Sequence, residues 1–149
     1  MNLKEKINLD LKEARKAKDK LRLQVIRSLR ALILEFEKSG SQSEMSSADE
    51  IKILTGAAKK RKEAFEQYQN ANRNDLAEIE KAELEIIQAY LPKQLNNDEI
   101  LLEIEKIAKQ VEAKSKEDFP KLMPAVMKEL KGKADGKTVK DLVQQFLSR

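Results

Sequence analysis

Apolar side chains recur every three or four residues along almost the whole chain, and only four glycines and three prolines interrupt its 149 residues. That pairing confines the chain to helices. Spacings of 3 and 4 build one apolar stripe on a 3.6-residue helix, whereas a half-buried strand needs alternation. Leu3, Ile7, Leu11 and Ala14 form the first stripe, with Asn2 as its N-cap. Val25, Leu29, Leu32 and Phe36 predict a second helix over about 20–38, and Leu23 and Leu34 on its other side predict neighbours on two faces. SGSQSEMSS at 39–47 reads as a mobile low-complexity loop. Ser47 and Glu50 predict a capping box for a third helix near 48–71, whose inner face is Ile51, Leu54, Ala58, Phe65 and Tyr68. NANRN at 70–74 is a turn, and Asn74 is expected to cap a fourth helix faced by Leu76, Ile79, Ile86, Ile87 and Tyr90.

The pattern breaks at Leu91-Pro92, because proline disfavours helical geometry in the residue before it. KQLNN reads as a short polar linker. Asn96 or Asn97 then caps a fifth helix bearing Ile100, Leu101, Ile104, Ile107 and Val111. A sixth helix begins near Asp118 and presents Leu122, Met123, Val126, Met127 and Leu130. Pro120 suits its first turn, Pro124 is expected to kink it, and Gly132 suits its C′ position. Val139, Leu142, Val143, Phe146 and Leu147 face the last helix. The fold class expected is all-α: an N-terminal four-helix unit at 1–91 with a long helical hairpin, followed by a compact C-terminal three-helix bundle at 96–149. No internal repeat relates the two.

Composition removes most reaction chemistries. The chain has no His and no Cys, which excludes Ser-His-Asp and Cys-His catalysis, zinc–thiolate and zinc–histidine sites, histidine-ligated haem and disulfides. Glycines at 40, 56, 132 and 136 are too dispersed for a phosphate-cradling loop. MNLKEKINLDLKEARK lacks the apolar core of a secretory signal, and no apolar run approaches the ~20 residues of a membrane span. A cytoplasmic protein without membrane contact, metal or cofactor is expected.

Charge is uneven. Residues 1–38 hold 11 basic and 6 acidic side chains, residues 39–95 hold 8 and 10, and residues 96–149 hold 11 and 10. Within the last segment, 121–140 carries 6 basic against 2 acidic. Lys128, Lys131, Lys133, Lys137 and Lys140 flank the Gly132 and Gly136 turn there. Backbone N–H groups opening the last helix could add to a phosphate site. The same lysines could simply complement the dipole of the sixth helix.

Two charged residues intrude on apolar stripes. Arg61 falls between Ala58 and Phe65, and Glu83 between Ile79 and Ile86. In a hairpin turning at Arg73 they lie at nearly matched heights, since each residue rises ~1.5 Å. A bidentate Arg61–Glu83 pair, with Glu80 as the alternative partner, would explain both. The pairing reads first as a device that fixes helix register and second as a polar site. No pair of acidic residues stands out as catalytic. Six aromatics on core faces do not make a base-stacking platform.

Lys16 to Arg27 (KAKDKLRLQVIR), Lys59, Arg61, Glu63, the stretch RNDLAEIEKAELEIIQAYLPKQL from Arg73 to Leu95, Asp118 to Met123, and GKADGK at 132–137 together resemble the YqeY-like family over essentially the whole chain. The resemblance implies a C-terminal unit similar to the tail domain of the B subunit of the glutamyl/aspartyl-tRNA amidotransferase, where the tail helps hold tRNA. The chain has no room for that enzyme's amidase or kinase-like halves. What the resemblance implies is therefore a non-catalytic protein that binds tRNA or other structured RNA. An adaptor for tRNA amidotransferase subunits or an aminoacyl-tRNA synthetase is the alternative. An enzyme with a carboxylate–lysine site ranks third.

Overall fold

The computed structural model describes residues 1–39 and 44–149, and the described residues are all-helical. The segment 40–43, inside the loop expected to be mobile, lies outside them. Seven α-helices follow one another: α1 Leu3–Ala17, α2 Lys20–Lys38, α3 Ser47–Asn70, α4 Asn74–Gln88, α5 Asn97–Val111, α6 Phe119–Glu129 and α7 Gly136–Leu147, with a 3-10 turn at Lys116–Asp118 before α6. None of the described helices is long and apolar enough to cross a membrane.

The chain divides into two compact units, Met1–Leu91 and Pro92–Arg149. In the first, Ile7 of α1, Val25, Ile26, Leu29 and Ile33 of α2, Leu54 of α3 and Ile87 of α4 form one core. Each such side chain contributes on the order of 1.5–3 kcal/mol by leaving water. The second unit packs α5, α6 and α7 around Ile100, Ile104, Leu122, Val126, Val139 and Val143.

Helix ends follow capping chemistry, with three departures from the expected register. Asn2 and Asn96 close capping boxes with Glu5 and Glu99. On α3 the box is one residue earlier than expected: Ser46 pairs with Asp49, and Glu50 instead brings a carboxylate oxygen within 3.5 Å of the Leu3 N–H at the start of α1. Asn74 is the first residue of α4 and not its cap. Arg73 takes the cap position without a side-chain cap bond, because Asn72 in the left-handed region (φ 58°) ends α3 first. There the Arg73 N–H donates to the Tyr68 carbonyl and the Asn72 N–H to Gln69, a Schellman closure. Gly132 takes φ 78°, as a positive-φ position after α6 requires, but one residue beyond the expected C′, since Leu130 is the cap.

Pro124 stands inside α6 without ending it. It is exposed, so water can take the helix carbonyl that its missing N–H leaves free. Two stripes also need correction. Ile26 and Ile33 join Val25 and Leu29 in the α2 core, with Leu32 and Phe36 only partly buried, and Ile79 of α4 is 47% exposed.

The residues read as linker are engaged in the second unit. The Gln94 side-chain amide donates to the Gly132 carbonyl at 2.7 Å, and the Leu95 N–H donates to the Lys133 carbonyl at 2.8 Å. Both tie the start of the unit to the lysine-rich turn.

Candidate functional site

On the α3–α4 hairpin, Arg61 and Glu83 meet. Arg61 Nε lies 2.6 Å from Glu83 Oε2 and 3.9 Å from Glu80 Oε2. Glu83 is 8% exposed and is one of two buried charged residues among those described. The contact is not the expected bidentate fork. Its closest approach is from Nε, which meets no hydrogen-bond geometry toward that oxygen, so charge is the main hold on the pair. A fork does exist nearby, in the open: Arg73 Nε and Nη2 grip Asp75 at 3.1 and 3.0 Å at the hairpin turn. Burial and the neighbouring Glu80 push the Glu83 carboxyl above its ordinary range, against the opposing pull of Arg61.

The second buried charge, Asp10, escaped the sequence reading. It is 7% exposed on α1 and accepts a 2.6 Å hydrogen bond from the Tyr90 hydroxyl, just past α4. Lys6 and Arg22 bring cations to 3.8 Å from its two oxygens. Burial, then the Asp10 bond and charge, push the Tyr90 hydroxyl well above its ordinary range. The signal was available: Asp10 lies on the same stripe as Ile7, Leu11 and Ala14, as Arg61 and Glu83 lie on theirs. Its role is a latch between the first helix and the end of the fourth.

The lysine turn lies in the second unit. Lys128, Lys131, Lys133, Lys137 and Lys140 are all exposed, while Gly132 is buried beneath them and Gly136 opens α7. None of the five forms an ion pair among the described residues. The N-terminus of α7, however, is already occupied by a carboxylate. Asp135 accepts from the Thr138 N–H and hydroxyl, both at 3.2 Å. An incoming phosphate would have to compete with that cap, so the turn offers side-chain cations more than helix-end N–H groups.

Elsewhere, a cleft of about 450 Å³ between α2 and α3 is floored by Leu32, Phe36, Ile53 and Ala57 and rimmed by Glu35, Asp49, Lys52 and Lys60. Asp49 is engaged by the Ser46 N–H and hydroxyl at the helix cap. Among the described residues no group of three acidic side chains is arranged to hold a metal ion.

Comparison with known proteins follows the same span. A family model described as Yqey-like protein matches residues 4–147. A protein of Pyrenophora tritici-repentis named altered inheritance of mitochondria protein 41, mitochondrial, is 30% identical over 146 residues, covering 95% of this chain and 79% of that one. Its namesake in Clavispora lusitaniae is 36% identical over 86 residues, 57% of this chain and 49% of that protein. A Schizosaccharomyces pombe protein described as uncharacterized is 31% identical over 98 residues, 64% of this chain and 77% of that one.

Proposed function

Because the chain belongs to the YqeY-like family, we propose that it is a non-catalytic RNA-binding protein, with tRNA as its target and the lysine turn of the second unit as its contact. One observation carries this reading: five exposed lysines, with no carboxylate partner among the described residues, gather around a single turn. Lysine is a flexible point charge, so the contact reads phosphate positions and RNA shape with little base discrimination. The buried Gly132 and the two hydrogen bonds from Gln94 and Leu95 hold the backbone from which those lysines project. Tail-domain similarity to the tRNA-dependent amidotransferase, inferred from the sequence, supports the choice of tRNA and makes amidotransferase subunits or a synthetase the protein partners to test. Two fungal relatives are named as mitochondrial proteins. The compartment proposed is thus one with its own translation apparatus, the mitochondrion as much as the cytoplasm first expected.

The test is tRNA binding measured at several salt concentrations. Lys133→Glu with Lys137→Glu should weaken binding about tenfold or more per residue at 0.1 M salt and flatten the salt slope, since each lost phosphate contact releases fewer counterions. Lys106→Glu, an exposed lysine of α5 outside the turn, should change little. Loss of binding in the control with none in the pair would overturn the assignment.

A further inference from the structure

The densest positive charge on the chain lies in the first unit. Residues 15–30 hold seven basic side chains (Arg15, Lys16, Lys18, Lys20, Arg22, Arg27, Arg30) against one acidic, Asp19. Asp19 is committed as the α2 N-cap, accepting from the Arg22 N–H. Arg22 in turn faces the buried Asp10. Arg15, Lys16, Lys18, Lys20, Arg27 and Arg30 remain: all are exposed, and none has an ion-pair partner among the described residues.

Helical geometry gathers them. Val25, Ile26, Leu29 and Ile33 point into the core. At 100° per residue, Lys20, Gln24, Arg27 and Ala31 form the row opposite that seam, with Arg30 on its flank. No acidic residue falls on the row between Lys20 and Ala31, and Glu35 follows one turn later. The α1–α2 corner, only Lys18 and Asp19 long, sets Lys16 and Lys18 at its head. From Lys20 to Arg30 the helix rises ~15 Å, a length over which a nucleic-acid duplex carries about nine backbone charges.

We infer that the α1–α2 corner and the solvent face of α2 form a second polyanion-binding surface, built for the phosphate backbone of structured RNA. This rests on the RNA-binding reading above and adds a separate footprint to it. Chemistry separates RNA from other anionic partners. A membrane-seeking face carries apolar side chains for insertion, and a protein interface carries apolar or aromatic anchors. The large exposed apolar side chains among the described residues are Met1, Leu9, Ile79, Leu102 and Met127, none of them on this surface. Arg27 and Arg30 supply planar forks that match phosphate oxygens, and the acid-free span from Lys20 to Ala31 imposes no penalty on a backbone laid along it.

Bulk tRNA is the probe, titrated by fluorescence anisotropy into the full chain between 50 and 200 mM salt. Lys20→Gln with Arg27→Gln should weaken binding about 60-fold at 0.1 M salt and reduce the log–log salt slope by about 1.8, at ~0.9 per phosphate contact. Lys20→Arg with Arg27→Lys keeps both charges and should stay within about twofold of the parent, which separates charge from folding. Unchanged binding in the Gln pair, with loss in Lys133→Gln plus Lys137→Gln, would overturn this inference and leave the turn standing. Loss in the Gln pair alone would support the corner and overturn the turn. A parent that binds no tRNA at 50 mM salt overturns both. A Gln pair that loses affinity for phosphatidylserine vesicles but keeps it for tRNA would assign the surface to a membrane and overturn the inference.

Discussion

Replacing Arg61 with Met removes its charge while keeping a flexible stem against the hairpin. Glu83 would then sit 8% exposed with Glu80 beside it and no cation in contact. Breaking a fully buried pair costs about 3–5 kcal/mol, and breaking an exposed one about 1 kcal/mol or less. The Arg61 side chain is 26% exposed and that of Glu83 11%. A value between the limits, about 2 kcal/mol at pH 7, follows. In a unit of this size that lowers the melting temperature by about 10 °C. The sign of the pH dependence is fixed as well. The Glu83 carboxyl already titrates above its ordinary range, and without Arg61 it titrates higher still. Between the unfolded and folded values the native state holds the extra proton, so stability falls as pH rises through that window. The deficit of the variant should therefore be small near pH 4 and grow toward pH 7. Glu83→Gln alone should be close to neutral at pH 7, because burial and Glu80 already outweigh Arg61. Glu83→Gln added to Arg61→Met should recover most of the loss. Thermal melts followed by circular dichroism at pH 4 and 7 measure all of this. A shift below 2 °C at pH 7, or a deficit that shrinks as pH rises, would refute the reasoning.

Other outcomes follow from single groups. Tyr90→Phe deletes a 2.6 Å bond to a charged acceptor and should cost about 1.5 kcal/mol at pH 7 in urea titrations. Above pH 10 the difference should narrow, because only the parent then loses stability as its unfolded chain releases the tyrosine proton and its folded state does not. Glu112 ends α5 with φ 58°, so Glu112→Gly should raise stability by about 0.5–1 kcal/mol, seen as a higher melting temperature with an unchanged m-value.

Periodicity made the helices legible because each needs only a local stripe and a local cap. It faltered where two local solutions competed. Ser46 with Asp49 and Ser47 with Glu50 both fit a capping box, and the choice is settled by Glu50 turning toward the start of α1, 47 residues away. Arg61 and Glu83 were visible as charges on apolar stripes. Their contact geometry was not, since the angle of an N–H depends on packing that no spacing encodes. Asp10 satisfied the same criterion, but its flanking lysines resembled an ordinary charged surface. Around the basic turn, the lysines were plain in the sequence. The competing cap from Asp135 to Thr138, three residues on, was just as local and could have been read from an Asp standing before the last helix.

The bonds from Gln94 and Leu95 to Gly132 and Lys133 join positions 38 apart in the chain, in a unit otherwise made of local helices. Packing of α5 against α7 closes the same ring, whose entropy cost is about 3 kcal/mol, so the core of the unit and not these two bonds carries that cost. What the bonds govern is the turn: Gln94 is a splint laid across the Gly132 carbonyl, and removing its amide frees the backbone under Lys131 and Lys133 while the helices behind it stay packed.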